Sequence, residues 1–176
     1  MRRMTLKAPS LRSAIAGFAI TAAALVGWQQ VPAQAIAGHN SNAPVDFDAD
    51  RIELQDRQNR VVLSGDVVIT QGGLQLRAAR TTVAYTDAGE LEIQRLDATG
   101  GVLVTRGNES ARGAAAVYDF GKRLIIMSGG VTLRRGGDTL SGGRLVIDLR
   151  TGLSSVDGRA SGSSGGRVTG TFSVPE

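Results

Sequence analysis

The stretch Val61-Val62-Leu63-Ser64-Gly65-Asp66-Val67-Val68-Ile69-Thr70 decides the fold, because the chain writes it three times. The second copy is Leu96-Asp97-Ala98-Thr99-Gly100-Gly101-Val102-Leu103-Val104-Thr105, and the third is Ile125-Ile126-Met127-Ser128-Gly129-Gly130-Val131-Thr132-Leu133-Arg134. With the Ser or Thr before the glycine set as the origin, apolar or small residues fall three and one positions before it. They fall again one, three and five positions after it. A period of two is that of a strand with one buried face. Repeats at this scale predict a stacked all-β architecture, because no single unit can bury its face alone.

A second phrase follows each copy of the first. It reads Leu74-Gln75-Leu76-Arg77-Ala78-Ala79-Arg80-Thr81-Thr82-Val83-Ala84-Tyr85, and it recurs at 109–118 and 138–147, with an earlier copy at 45–54. Its apolar parity slips by one in the middle, near Ala49, Ala78, Gly113 and Gly142. Such a change of face needs a bulge or a bend. Turn signals separate the phrases at Gln71-Gly72-Gly73, Thr86-Asp87-Ala88-Gly89, Arg106-Gly107-Asn108, Arg135-Gly136-Gly137 and Thr151-Gly152. Residues 36–43 read as a polar, mobile leader, 44–176 as one domain, and 161–166 as a Gly/Ser linker before a last strand at 167–174, whose apolar or small residues are 168, 170, 172 and 174. No segment after the first 35 residues carries helical period.

Charge narrows the function classes. Of the 20 Lys and Arg, four lie within residues 1–35, which contain none of the 16 Asp and Glu. The rest of the chain is therefore balanced and carries no net basic charge of the kind that nucleic acid recognition uses. Those first residues read as a secretory signal. Arg2, Arg3, Lys7 and Arg12 make a positive start, 14–26 an apolar run, and Ala33-Gln34-Ala35 a small-residue cleavage site, with Ala35-Ile36-Ala37 as an overlapping alternative. The rival reading is an uncleaved anchor, but the run is shorter than the roughly 20 residues of a spanning helix. The absence of cysteine removes disulfides and thiolate chemistry.

These phrases resemble the LptA/OstA-type lipopolysaccharide transport proteins. The resemblance rests on residues 49–54, on Leu63-Ser64-Gly65-Asp66-Val67-Val68-Ile69-Thr70-Gln71-Gly72, on 76–80 and on the closing Arg167-Val168-Thr169-Gly170-Thr171-Phe172. It implies an open β-jellyroll-like stack of antiparallel strands, built from repeated strand pairs. It implies a periplasmic, non-enzymatic carrier that moves lipopolysaccharide, or a similar envelope glycolipid, from the inner to the outer membrane in an apolar groove. It also implies head-to-tail homo-oligomers and partners of the LptC type at the inner membrane and the LptD type at the outer membrane.

Strand parity sets which residues would line that groove. On the first phrase these are Val67, Ile69, Val102, Val104, Met127, Val131 and Leu133, together with Val61, Leu63 and Ile125. On the return strands they are Leu76, Val83, Tyr85, Tyr118, Phe120 and Ile147, together with Leu74, Leu140, Leu145 and Leu149. From the resemblance, Val45, Phe47 and Asp48 would sit where lipid enters and a neighbouring subunit docks. Position by position a dry core is the better explanation, and the set as a whole points to a groove only through the resemblance; a secreted structural β-repeat without cargo, or an LptC-type anchored adaptor, remain alternatives. No cofactor and no metal site is expected. His39 is the only histidine, which removes histidine triads and metal clusters. Asp46, Asp48 and Asp50 lack the glycine and terminal glutamate of a calcium loop.

Overall fold

The computed structural model describes residues 39–159 and 166–174. The signal segment expected over 1–35 and all of the 161–166 linker except Gly166 lie outside the described residues.

The strands follow the phrases. They are β1 (Val45–Asp48), β2 (Arg51–Gln55), β3 (Arg60–Gln71), β4 (Leu74–Asp87), β5 (Leu91–Arg106), β6 (Glu109–Asp119), β7 (Leu124–Arg135), β8 (Asp138–Asp148), β9 (Ser154–Asp157) and β10 (Thr169–Thr171). β3 to β8 pair in sequence order as an antiparallel meander. β1 pairs with the second half of β3 and β2 with its first half. At the other end β10 pairs with the first half of β8 and β9 with its second half. The sheet is open at both ends, and every long strand crosses it from one half to the other.

The crossing line is a row of bulges at the glycines of the first phrase. Pairing between β3 and β4 slips from Ser64 to Val67, and the same slip occurs at Thr99/Val102 and Ser128/Val131. The intervening residues take positive φ: 78° and 40° at Gly65 and Asp66, 84° and 83° at Gly100 and Gly101, 83° and 72° at Gly129 and Gly130. Glycine adopts this backbone without a Cβ penalty, and a bulge bends its strand and increases twist. The sheet folds along this row into two leaves, an open jellyroll-like stack whose inner faces share one core.

The return strands answer with a change of parity. β4 buries Leu74, Leu76 and Ala78, exposes Ala79 and Arg80 in succession, then buries Thr81 and Val83. β6 repeats the move between Ala111 and Ala116. Small residues are needed at this point for space. A Cβ on Gly100 would lie 2.6 Å from that of Ala79, and one on Gly129 would lie 2.5 Å from that of Ala114.

The core takes apolar residues from both leaves, including Ile69, Leu76, Val104 and Leu133 from one and Leu63, Val83, Leu96, Tyr118 and Ile147 from the other. Leucine-sized side chains fully withdrawn from water contribute about 1.5–3 kcal/mol each, so this shared face holds the leaves together. Two expectations change in detail. The last strand pairs only over Thr169–Thr171, and Val168, Phe172 and Val174 are 42%, 64% and 86% exposed. At the end of a sheet they have too little opposite them to bury against. The leader expected over 36–43 is packed from His39 onward, with His39 buried against Gln71 and Tyr118.

Candidate functional site: an apolar cleft at the first edge

At the β1/β2 end the two leaves enclose an apolar cleft. Val45 and Phe47 of β1, with Ile69 of β3, face Leu54, Val61, Leu63, Val83, Tyr85, Leu91, Ile93 and Leu96 from the other leaf across a cleft of about 230 Å³. No charged side chain lines it. Phe47, Leu54 and Leu91 are 53%, 70% and 65% exposed, so the cleft opens to solvent through large apolar side chains. Scattered surface apolar residues are ordinary, but a contiguous set converging on a concave wall marks a ligand or partner site.

The residues expected to form a groove divide into two groups. Val45, Phe47, Ile69, Val83 and Tyr85 line the cleft. Val67, Leu76, Val102, Val104, Tyr118, Met127, Val131, Leu133 and Ile147 are buried in the shared core, most of them at 0–3% exposure. Phe120 packs against that core and stacks on Tyr118 with ring centroids 4.0 Å apart. Asp48 is exposed at the end of β1 and does not line the cleft. The seam is thus open at one end and sealed along its middle.

Sequence reasoning left out Leu54, Leu91, Ile93 and Leu96. For Leu96 the signal was present, since it occupies the position of Val61 and Ile125 in the repeated phrase. Ala98, Ala111 and Ala116 are buried too, as small residues where the leaves come close. Leu54 and Leu91 carry no signal beyond being apolar at strand ends, because their role depends on how the leaves overhang.

Directly beside the cleft, a polar cluster joins the rims of the two leaves, with Gln71 paired to Val45 and Tyr118 to Leu96. Gln71 at the end of β3 donates its amide hydrogens to the carbonyls of Ser41 and Ala43, each at 3.0 Å. Its Oε1 accepts from Tyr118 Oη at 2.9 Å and from His39 Nε2 at 3.1 Å. Burial pushes the Tyr118 phenol above its ordinary pKa and the His39 imidazole below its own.

The fold and cleft define a class: an open antiparallel β-jellyroll with an apolar mouth. Residues 46–153 match the LptA/(LptD N-terminal domain) LPS transport protein family, and the chain belongs to it. Among solved structures it is similar to LptH, the LptA-homologous periplasmic component of the lipopolysaccharide transport device of Pseudomonas aeruginosa. The TM-score is 0.66 and the identity 23%, over 76% of this chain and 98% of that one. An uncharacterised protein of Rhizobium meliloti (strain 1021) is 24% identical over 94 residues, half of each chain. The chain thus spans about half the length of that curated relative.

Proposed function

We propose that this protein is a periplasmic carrier that holds the acyl chains of lipopolysaccharide, or of a similar multi-acyl envelope glycolipid, between its two leaves, and passes them toward the outer membrane without chemical change. The observation that carries this reading is the apolar cleft, open at the β1/β2 end and continuous with a core made of the same kind of side chain. Each methylene moved from water into such a wall contributes about 0.8 kcal/mol. The cleft takes the first chain, and the rest follow as the leaves part along the seam. Val45 and Phe47 form the entry, with Asp48 beside it at the docking edge. The core residues Val67, Leu76, Val102, Val104, Tyr118, Phe120, Met127, Val131, Leu133 and Ile147 become lining only when the leaves separate.

Edge strands at the two ends, each paired on one side only, support head-to-tail assembly. An edge strand presents free backbone donors and acceptors, and a heterologous contact that does not close extends into a filament. Family membership supports LptC-type and LptD-type proteins as the partners at the ends of that filament. The sealed middle of the core favours a second reading, a dry structural repeat, and one experiment separates the two. A photo-crosslinking amino acid at Phe47 or Leu91 is expected to capture lipopolysaccharide in the envelope, while one at the outer-face position Arg112 captures none. Equal capture at all three positions, or none at any, would overturn the carrier reading.

A further inference from the structure

The described chain begins with a short segment, His39–Ala43, that touches both leaves. On one leaf it lies on the β3–β4 turn, so closely that a Cβ on Gly72 would sit 2.7 Å from the carbonyl oxygen of Asn40. Gln71 of the same leaf binds the carbonyls of Ser41 and Ala43. On the other leaf, Arg123 in the β6–β7 turn donates to Asn42 Oδ1 at 3.2 Å, and Tyr118 meets His39 edge-on, with its Oη 3.4 Å from His39 Nε2. The turn at Gln71 and the end of β6 at Tyr118 are free rims of opposite leaves, far from the glycine fold line that joins them. A bond between these rims resists opening of the fold.

We propose that His39–Ala43 is a clasp that ties the two rims shut, and that protonation of His39 releases it. The network itself fixes the state of the imidazole. Gln71 spends both amide hydrogens on Ser41 and Ala43, so its oxygen can only accept. It accepts from Tyr118, and His39 Nε2 must therefore carry a hydrogen to bond to it. Nδ1 is then a bare lone pair, buried and without a partner among the described residues. A second proton would have to enter there, where nothing receives it, and would add a positive charge to a site withdrawn from water.

The surrounding charges do not offset that cost. Arg106 at the end of β5 opposes a cation at His39. Arg123 is a second cation at the clasp. Two acids next to these elements already have cationic partners: Glu109 of β6 with Arg135 of β7 at 2.9 Å, and Asp119 with Lys122 at 2.9 Å. Burial accordingly holds the His39 pKa below its ordinary 6.5. A released, solvated histidine binds a proton at a higher pH than the clasped one. The clasp is thus at full strength above pH 6.5 and weakens as the pH falls below it toward the depressed value.

Opening can be read without any lipid, which keeps this test separate from the carrier reading. The chain has no cysteine, so Asn108→Cys and Gly121→Cys, which leave the Lys122–Asp119 pair in place, can carry paired spin labels. These exposed positions flank the two ends of β6, one on each rim, and their separation reads the angle between the leaves. Distances would be measured at about pH 7.5 and about pH 5.0, on either side of the ordinary histidine value. One narrow distance is expected at the higher pH and a second, longer population at the lower. His39→Gln, which keeps a donor for Gln71 but does not titrate, is expected to stay narrow at both. Gln71→Leu, which removes the shared acceptor, is expected to show the longer population at both. Identical distributions for the labelled parent at the two pH values would overturn the proposal, and so would a His39→Gln variant that shifts as the parent does.

Discussion

At the residue scale, the fold line rests on a few glycines whose two roles can be separated. Gly100 and Gly101 both hold φ near +84°, but a Cβ on Gly100 meets Ala79 while one on Gly101 meets nothing within 4 Å. Gly101→Ala bears only the left-handed backbone, a cost of about 1–2 kcal/mol. Gly100→Ala adds overpacking of about 1–3 kcal/mol against a neighbour that is itself part of a strand. Urea unfolding should show a lower midpoint for both and a clearly lower one for Gly100→Ala, and equal losses would contradict the close approach. Thr81 sits on the inner face with its hydroxyl buried and without a partner among the described residues. An unmet buried polar group costs about 1–3 kcal/mol, so Thr81→Val should raise the unfolding midpoint, and a fall would mean the hydroxyl has a partner in solution. The glycines of the repeated phrase were legible as a corner because they recur at one offset. The buried hydroxyl of Thr81 was not legible, since a threonine within a strand phrase reads as ordinary.

At the element scale, the central strands β3 to β8 match their phrases, because strict alternation over ten or more residues leaves one face to bury. The slip of parity on β4, β6 and β8 was also readable, and its cause is the bulge on the strand opposite. The edges were harder to read. β1 and β2 are two strands where the sequence shows one phrase, broken around Asp50, whose amide hydrogen bonds to the Gly65 carbonyl across the fold line. The two ends of the sheet should act as complementary edges. Light scattering is expected to show mass growing with concentration for the parent protein. Leu54→Lys at one end and Phe172→Lys at the other should each remove that growth, because a charge on an edge discourages pairing. Mixing the two variants should then yield a dimer and nothing larger, since each keeps one intact end. A mixture that stays monomeric would argue against head-to-tail contact.

At the scale of the whole molecule, the proposed lipid binding would draw on the same surface that gives the fold its stability. Val104, Ile125, Met127 and Leu145 are fully buried between the leaves, so under the carrier reading contacts between the leaves would be exchanged for contacts with acyl chains. On that proposal, loading would be limited by whatever holds the rims together, which is where the His39–Ala43 segment would act. The amino-acid sequence by itself determined the all-β class, the repeated strand pairs, the inward face of each central strand and the family, because all of these follow from local period and phrase. Only the tertiary structure decided which apolar residues line an open cleft and which are sealed, and that His39 joins Gln71 and Tyr118. Those outcomes depend on how far one leaf overhangs the other, a distance set by the fold angle and twist of the whole sheet and by contacts between residues 32 and 79 positions apart.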